Sequence, residues 1–166
     1  MSIEALNAAS PAEAAQQLRQ CCTSERWIAE LVAARPFADA QSLKDAADTV
    51  WRGLEEADYL QAFDGHPKIG DVDSLKAKYA DTKQLAAGEQ AAVASATEAV
   101  ITELAQGNSD YEARFGFIFI VCATGKSAAD MLALLKARLP NTRAEELANA
   151  AEEQRKIFQL RLDKLL

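Results

Sequence analysis

Phe115-Gly116-Phe117-Ile118-Phe119-Ile120-Val121-Cys122-Ala123 is the only run in this chain with the composition of a β-strand. Elsewhere Ala-, Leu- and Glu-rich segments dominate and β-branched runs are few, so the expectation is a mostly helical fold. Periodicity leaves open whether 115–123 is a buried extended segment or the start of a buried helix. With 166 residues, 49% hydrophobic and 26% charged, the chain has ordinary globular composition and is most simply one domain. No internal repeat or low-complexity linker marks a boundary within it.

Helix punctuation supplies the rest of the framework. Ser10-Pro11-Ala12-Glu13 is a capping box with proline at the first helical position, predicting a helix to about Cys22. Ser24 opens a second helix, with Trp27, Ile28, Leu31 and Val32 at helical spacing, ended by Arg35-Pro36. A third is expected from Ser42 to about Glu56, and a short one from Ala57 to Phe63. Trp and Phe at such positions read as core. Ser74 to Tyr79 reads as a short helix and Asp81 to Gly88 as a loop. Gly88-Glu89-Gln90 opens a long helix with an apolar face of Val93, Ala96, Val100 and Leu104, expected to stop at Gly107-Asn108. Asn108-Ser109-Asp110 then caps a turn from Tyr111 to Arg114. Ser127 starts a helix to Leu139, and the capping box Thr142-Arg143-Ala144-Glu145 begins a last helix reaching almost to Leu166.

Three polar residues stand out against this framework. His66, the only histidine, sits in Gly65-His66-Pro67-Lys68-Ile69-Gly70. Pro67 biases it towards extended backbone, and the glycines permit a sharp turn and close approach to a ligand. Histidine is the side chain whose ordinary pKa suits proton exchange near neutral pH. A rigid turn whose imidazole caps a neighbouring helix fits the same residues. Glu89 lies four residues before Val93, on the inward stripe of its helix; a plain helix-dipole residue would also sit in that first turn. On the last helix, Gln154, Ile157, Arg161 and Leu165 form a stripe at steps of three and four. Arg161 there is either a snorkelling surface residue or a guanidinium fork directed at a buried anion. Together the three make coherent chemistry: a proton donor or acceptor, a carboxylate that orients it or the substrate, and an anion holder.

Other classes are disfavoured. With 25 acidic and 18 basic residues the formal charge is −7, which argues against a nucleic-acid or anionic-membrane surface. Cys21, Cys22 and Cys122 have neither metal nor disulfide spacing, and a reduced, cytoplasmic compartment fits them. A structural zinc site is not expected with a single histidine. No apolar stretch approaches the ~18 residues needed to span a bilayer, the first residues lack a signal-peptide pattern, and Lys164-Leu165-Leu166 is not a peroxisomal address. Gly125-Lys126-Ser127 looks like the end of a phosphate-binding loop, but the required glycine is replaced by Ile120.

The Gly-His-Pro turn, the Gly-Glu-Gln helix start, Phe115-Gly116-Phe117 through Cys122-Ala123-Thr124-Gly125-Lys126, and Leu160-Arg161-Leu162 occur in this order at these separations. Together they resemble the 2-oxo-4-hydroxy-4-carboxy-5-ureidoimidazoline (OHCU) decarboxylase family of purine catabolism, over most of the chain. The resemblance implies a single-domain all-α bundle of roughly eight helices of mixed length spanning residues 1–166. It implies a cofactor-free, homodimeric enzyme without a metal, converting the small molecule OHCU to (S)-allantoin. It also implies His66 and Glu89 as catalytic residues, and Pro67, Gln90, Arg161 and the segment Phe117, Ile118, Phe119 and Ile120 as substrate-binding. Two positions depart from the family pattern: Ala86 stands where many members carry serine, and Ile118 where many carry proline. A decarboxylase or tautomerase acting on a related cyclic ureide, and a non-enzymatic helical binding module, are the competing readings.

Overall fold

The computed structural model of the chain describes residues 1–66, 72, 73, 75 and 90–166, with backbone only over 90–97. The fold is all-α. Eight helices are bounded among the described residues: α1 (Ile3–Ala8), α2 (Pro11–Arg19), α3 (Glu25–Ala34), α4 (Ala40–Arg52), α5 (Glu56–Asp64), α6 (Gln90–Phe115), α7 (Ala128–Arg138) and α8 (Arg143–Leu165). Val72, Asp73 and Leu75 are helical too; most of the helix expected over 74–79, and the loop expected over 81–88, lie outside the described residues.

Four of the predicted caps form. Ser10 closes its box with Glu13 and places Pro11 first in α2. Ser24 accepts the Trp27 N–H at the start of α3, Ser127 pairs with Asp130 at α7, and Thr142 accepts the Glu145 N–H at α8. Two starts were not foreseen. Ser2 caps the six-residue α1, too short a helix to show a periodicity. Asp39 caps α4, whose Ser42 N–H it accepts at 2.7 Å, so α4 begins before Ser42 and ends at Gly53 rather than near Glu56.

Contacts divide the chain into two compact units, Met1–His66 with Asn149–Leu166, and Pro67–Ala148. The first is centred on aromatic residues. Trp27 and Trp51 pack on Phe158 with ring centroids 5.0 and 5.5 Å apart. Each indole N–H is satisfied by a helix carbonyl, Ala47 for Trp27 and Ala151 for Trp51, as buried tryptophans require. Leu6, Leu18, Ile28, Leu31, Leu43 and Leu162 complete this core. On α8 the inward residues are Ala150, Gln154, Phe158 and Leu162, none more than 1% exposed.

In the second unit α6 packs against α7. The expected stop at Gly107-Asn108 does not occur: α6 continues to Phe115, and 108–114 is helix rather than a separate capped turn. Gly107 instead lets α6 and α7 approach closely: a Cβ there would lie 2.3 Å from Leu135 Cδ2. The buried face runs through Ile101, Leu104, Tyr111 and Phe115, with Val100 only half-buried on its flank. Beyond Phe115, Gly116 adopts a φ of +81°, reserved in practice for glycine, and ends the helix. Residues 118–123 are then neither helix nor assigned strand, so this segment is not the start of a buried helix. No described helix is long and apolar enough to cross a membrane.

Candidate active site

His66 is delivered by α5. Gly65 ends that helix with its N–H on the Ala62 and Phe63 carbonyls, and the His66 N–H bonds Phe63 O at 3.1 Å. The φ of Gly65 is an ordinary −72°, so conformation does not demand glycine here. Space does: a Cβ would fall 2.0 Å from Thr23 Oγ1, a hydroxyl donating to the carbonyls of Gln61 and Ala62. The chain turns through this gap and leaves the imidazole half-buried.

The ring Nε2 is hydrogen-bonded to Gln154 Oε1. Burial lowers the His66 pKa below its ordinary 6.5; the bond to Gln154 opposes that, and the Arg161 charge adds to it. The imidazole is therefore neutral at neutral pH, a state suited to accepting a proton before returning it. Gln154 is 1% exposed, and among the described residues its amide nitrogen has no hydrogen-bond partner.

Arg161 is exposed, which corrects the expectation of an inward position. The inward stripe of α8 runs 150, 154, 158 and 162; the stripe drawn through 157, 161 and 165 is its neighbour, with Ile157 and Leu165 half-buried. Among the described residues the guanidinium makes one hydrogen bond, from Nη1 to the Cys21 carbonyl at 3.3 Å. Burial pushes the Cys21 and Cys22 thiols up to about 11 and about 12, Arg161 acting weakly in the other direction, so both are neutral neighbours. His66, Gln154 and Arg161 all belong to the first unit.

Pro67 and Glu89 lie outside the described residues, as does Ala86, and Gln90 is described only as the first backbone position of α6. Phe117–Ile120 belong to the second unit. Phe117 and Ile120 are buried, Ile118 and Phe119 half-buried. The segment is held by arginines: Arg138 Nη1 donates to Ile120 O at 2.6 Å, and Arg143 Nε donates to Phe115 O at 3.1 Å. Arg138 also lies 4.7 Å over the Phe119 ring, and Arg143 lies 5.7 Å over Phe117. Arg138 is in turn fixed by Glu146, which also accepts from Tyr111. A segment held at these points can present backbone groups to a small planar ligand, with Ile120 O already committed.

Gln154 is the residue that the sequence reading passed over. It was placed on a stripe without a role. The available signal was a glutamine among Ala150, Phe158 and Leu162 at steps of four, because a polar residue on an apolar face needs a partner.

An all-α chain whose single histidine is hydrogen-bonded to a buried amide, with an arginine on the same helix acting on it, has groups of the kind used in acid–base chemistry. The chain belongs to the OHCU decarboxylase family, whose model matches residues 7–163. It is 34% identical over 145 residues to the uric acid degradation bifunctional protein TTL of Arabidopsis thaliana, covering 87% of this chain and 45% of that protein. It is 31% identical over 140 residues to the 2-oxo-4-hydroxy-4-carboxy-5-ureidoimidazoline decarboxylase of Amia calva, covering 80% of this chain and 75% of the relative. Among solved structures, an OHCU decarboxylase crystallised in the presence of (S)-allantoin superposes with a TM-score of 0.71 at 33% identity, covering 90% of this chain and 96% of that one. The chain spans less than half the length of the bifunctional relatives it matches.

Proposed function

We propose that this protein decarboxylates OHCU to (S)-allantoin in urate degradation, with His66 as the proton-transfer residue. The observation that carries this reading is the half-buried, neutral imidazole beside Gln154 and Arg161 in a chain of this family. The substrate supplies its own electron sink. When the bond from the ring carbon to the carboxylate breaks, CO₂ leaves, the electron pair is accepted by the adjacent C=N group, whose nitrogen takes a proton from solvent, and the ring hydroxyl becomes an enol. His66 takes the hydroxyl proton as the carbonyl forms and delivers a proton to the former imine carbon from one face, which sets the configuration of the product. Glu89 orients the substrate, and Arg161 holds the ureido and ring oxygens through its planar fork. By the family resemblance Pro67, Gln90 and residues 117–120 are substrate-binding, the last through backbone groups other than Ile120 O. Ala86 and Ile118 bear on affinity rather than on reaction type.

The family match runs through both compact units, which supports one functional domain over residues 1–166. The resemblance also carries a homodimer in the cytoplasm, acting on a small molecule rather than on nucleic acid or a membrane surface. The test is circular dichroism of allantoin formed from freshly generated OHCU. Because OHCU decays spontaneously to racemic product, only growth of one enantiomer's signal counts. The native chain should give that signal quickly, and His66→Asn should slow it by about 10²–10⁴-fold. A native signal no faster than buffer, or a fully active His66→Asn, overturns the reading.

A further inference from the structure

Gln154 costs the core something that a leucine would not. Its neighbours on the inward face of α8 are Ala150, Phe158 and Leu162, and its amide nitrogen is buried without a partner among the described residues. An unsatisfied buried donor is unfavourable, so stability alone gives no reason for a glutamine here. What it does contact is the ring nitrogen of the only histidine, through Oε1, which can only accept. A neutral imidazole has one N–H and one lone pair, and a fixed acceptor at Nε2 decides which nitrogen carries which.

We propose that Gln154 is a positioning residue that holds the His66 imidazole in its Nε2–H form, leaving Nδ1 as the nitrogen that takes up and returns the proton. That Nδ1 handles a substrate proton rests on the decarboxylase reading; that the ring is held as Nε2–H rests on the hydrogen bond alone. The electrostatic surroundings agree with a neutral ring. Among the described residues Arg161, on the same helix as Gln154, is the charged group that acts on His66. Asp64, two residues back on α5, is exposed, and the thiols of Cys21 and Cys22 are neutral. No described carboxylate is bonded to the ring to favour its protonation, and a neutral amide acceptor fixes the tautomer while leaving the imidazole easy to deprotonate.

Since the chain has a single histidine, ¹⁵N-histidine labelling of untagged full-length protein reports on His66 alone. Above the titration range, the native ring should show one protonated nitrogen at Nε2 and an unprotonated Nδ1. In Gln154→Leu the two nitrogens should move towards a tautomer mixture. The same variant should lose about 10- to 100-fold in kcat with little change in KM, as when a partner that orients a functional histidine is removed. Its thermal midpoint should equal or exceed the native one, because an unpartnered amide has been replaced by an apolar side chain. Gln154→Glu, nearly isosteric, should raise the His66 titration midpoint by about one to three pH units, since a carboxylate favours the imidazolium. It should carry the pH profile of kcat with it. If Gln154→Leu keeps the native tautomer and kcat, or Gln154→Glu leaves the titration unmoved, the proposal fails. A lower thermal midpoint with unchanged tautomer would make Gln154 a merely structural residue. A fixed Nε2–H ring in a protein that does not turn over OHCU would sink the decarboxylase reading and leave Gln154's hold on the ring standing.

Discussion

Glu146 and Gln154 both belong to α8 and both are buried, at 0% and 1% exposure, yet their surroundings differ in kind. Around Glu146 both oxygens are satisfied. Oε1 accepts from the Tyr111 hydroxyl and from Arg138 Nε at 2.6 Å each, and Oε2 accepts from Asn141 Nδ2 at 2.9 Å. Burial, followed by the bond to Glu146, pushes the Tyr111 phenol well above its ordinary range, so it remains a donor at any physiological pH. Around Gln154 one atom is bonded and the other is not. The first arrangement is what a polar cluster needs if it is to hold backbone in place, here the carbonyl of Ile120 through Arg138. In the second, the fold tolerates an unmet hydrogen bond next to a titratable ring.

The most forceful way to break this contrast is to remove Glu146. Glu146→Ala strands the Arg138 guanidinium, whose side chain is only 11% exposed, and leaves the Tyr111 hydroxyl without its acceptor. A buried pair broken on one side typically loses about 3–5 kcal/mol. Urea unfolding should therefore show a loss of that size, whereas Gln154→Leu should show none. If Glu146→Ala costs under about 1 kcal/mol, the cluster does not hold the segment and the contrast collapses.

How much of this was readable in advance depended on what kind of signal each residue leaves. Caps leave local ones: Ser10, Ser24, Ser127 and Thr142 each announced a helix within a few residues, and each helix is there. His66 was conspicuous because it is unique and flanked by glycine and proline. Gly107 misled, since a glycine that ends a helix and a glycine that lets two helices touch look alike until Leu135 is placed against it. Arg161 was assigned to the wrong stripe for a related reason. Residues 157, 161 and 165 satisfy helical spacing as well as 150, 154, 158 and 162 do, and only burial separates them. Gln154 gained its meaning from a residue 88 positions away, which no local pattern encodes.

The two glycines sharpen the comparison at lower cost. At Gly65 an added methyl would meet Thr23 Oγ1 at 2.0 Å, Cγ2 at 2.6 Å and Cβ at 2.8 Å. Thr23 is tied to α5 by its hydroxyl, so relief has to come from the end of the helix that carries His66. Overpacking of this kind costs about 1–3 kcal/mol. Gly65→Ala should lose that much in thermal or urea unfolding and also lose kcat, and Thr23→Ala in the same chain should restore part of both. Loss of stability with kcat intact would mean that His66 does not depend on this close approach.

Gly107→Ala should have the smallest effect and should leave His66 untouched. Its methyl would meet Leu135 at Cδ2, 2.3 Å away, with Cγ at 3.3 Å. The near atom is the end of a rotatable side chain, although Leu135 is fully buried and its new rotamer has to fit the same space. Against an overpacking cost of about 1–3 kcal/mol stands the better helix propensity of alanine over glycine, about 1 kcal/mol. The net loss should be about 0–2 kcal/mol, with the His66 titration as in the native chain. Combining it with Leu135→Ala separates the two contributions. If contact with Leu135 is what demands glycine, the double variant should be more stable than the sum of the single losses predicts, because the cavity left by the leucine admits the new methyl. Strictly additive losses would mean that the glycine is not there to let α6 and α7 touch, and its place within an unbroken helix would then have no packing explanation.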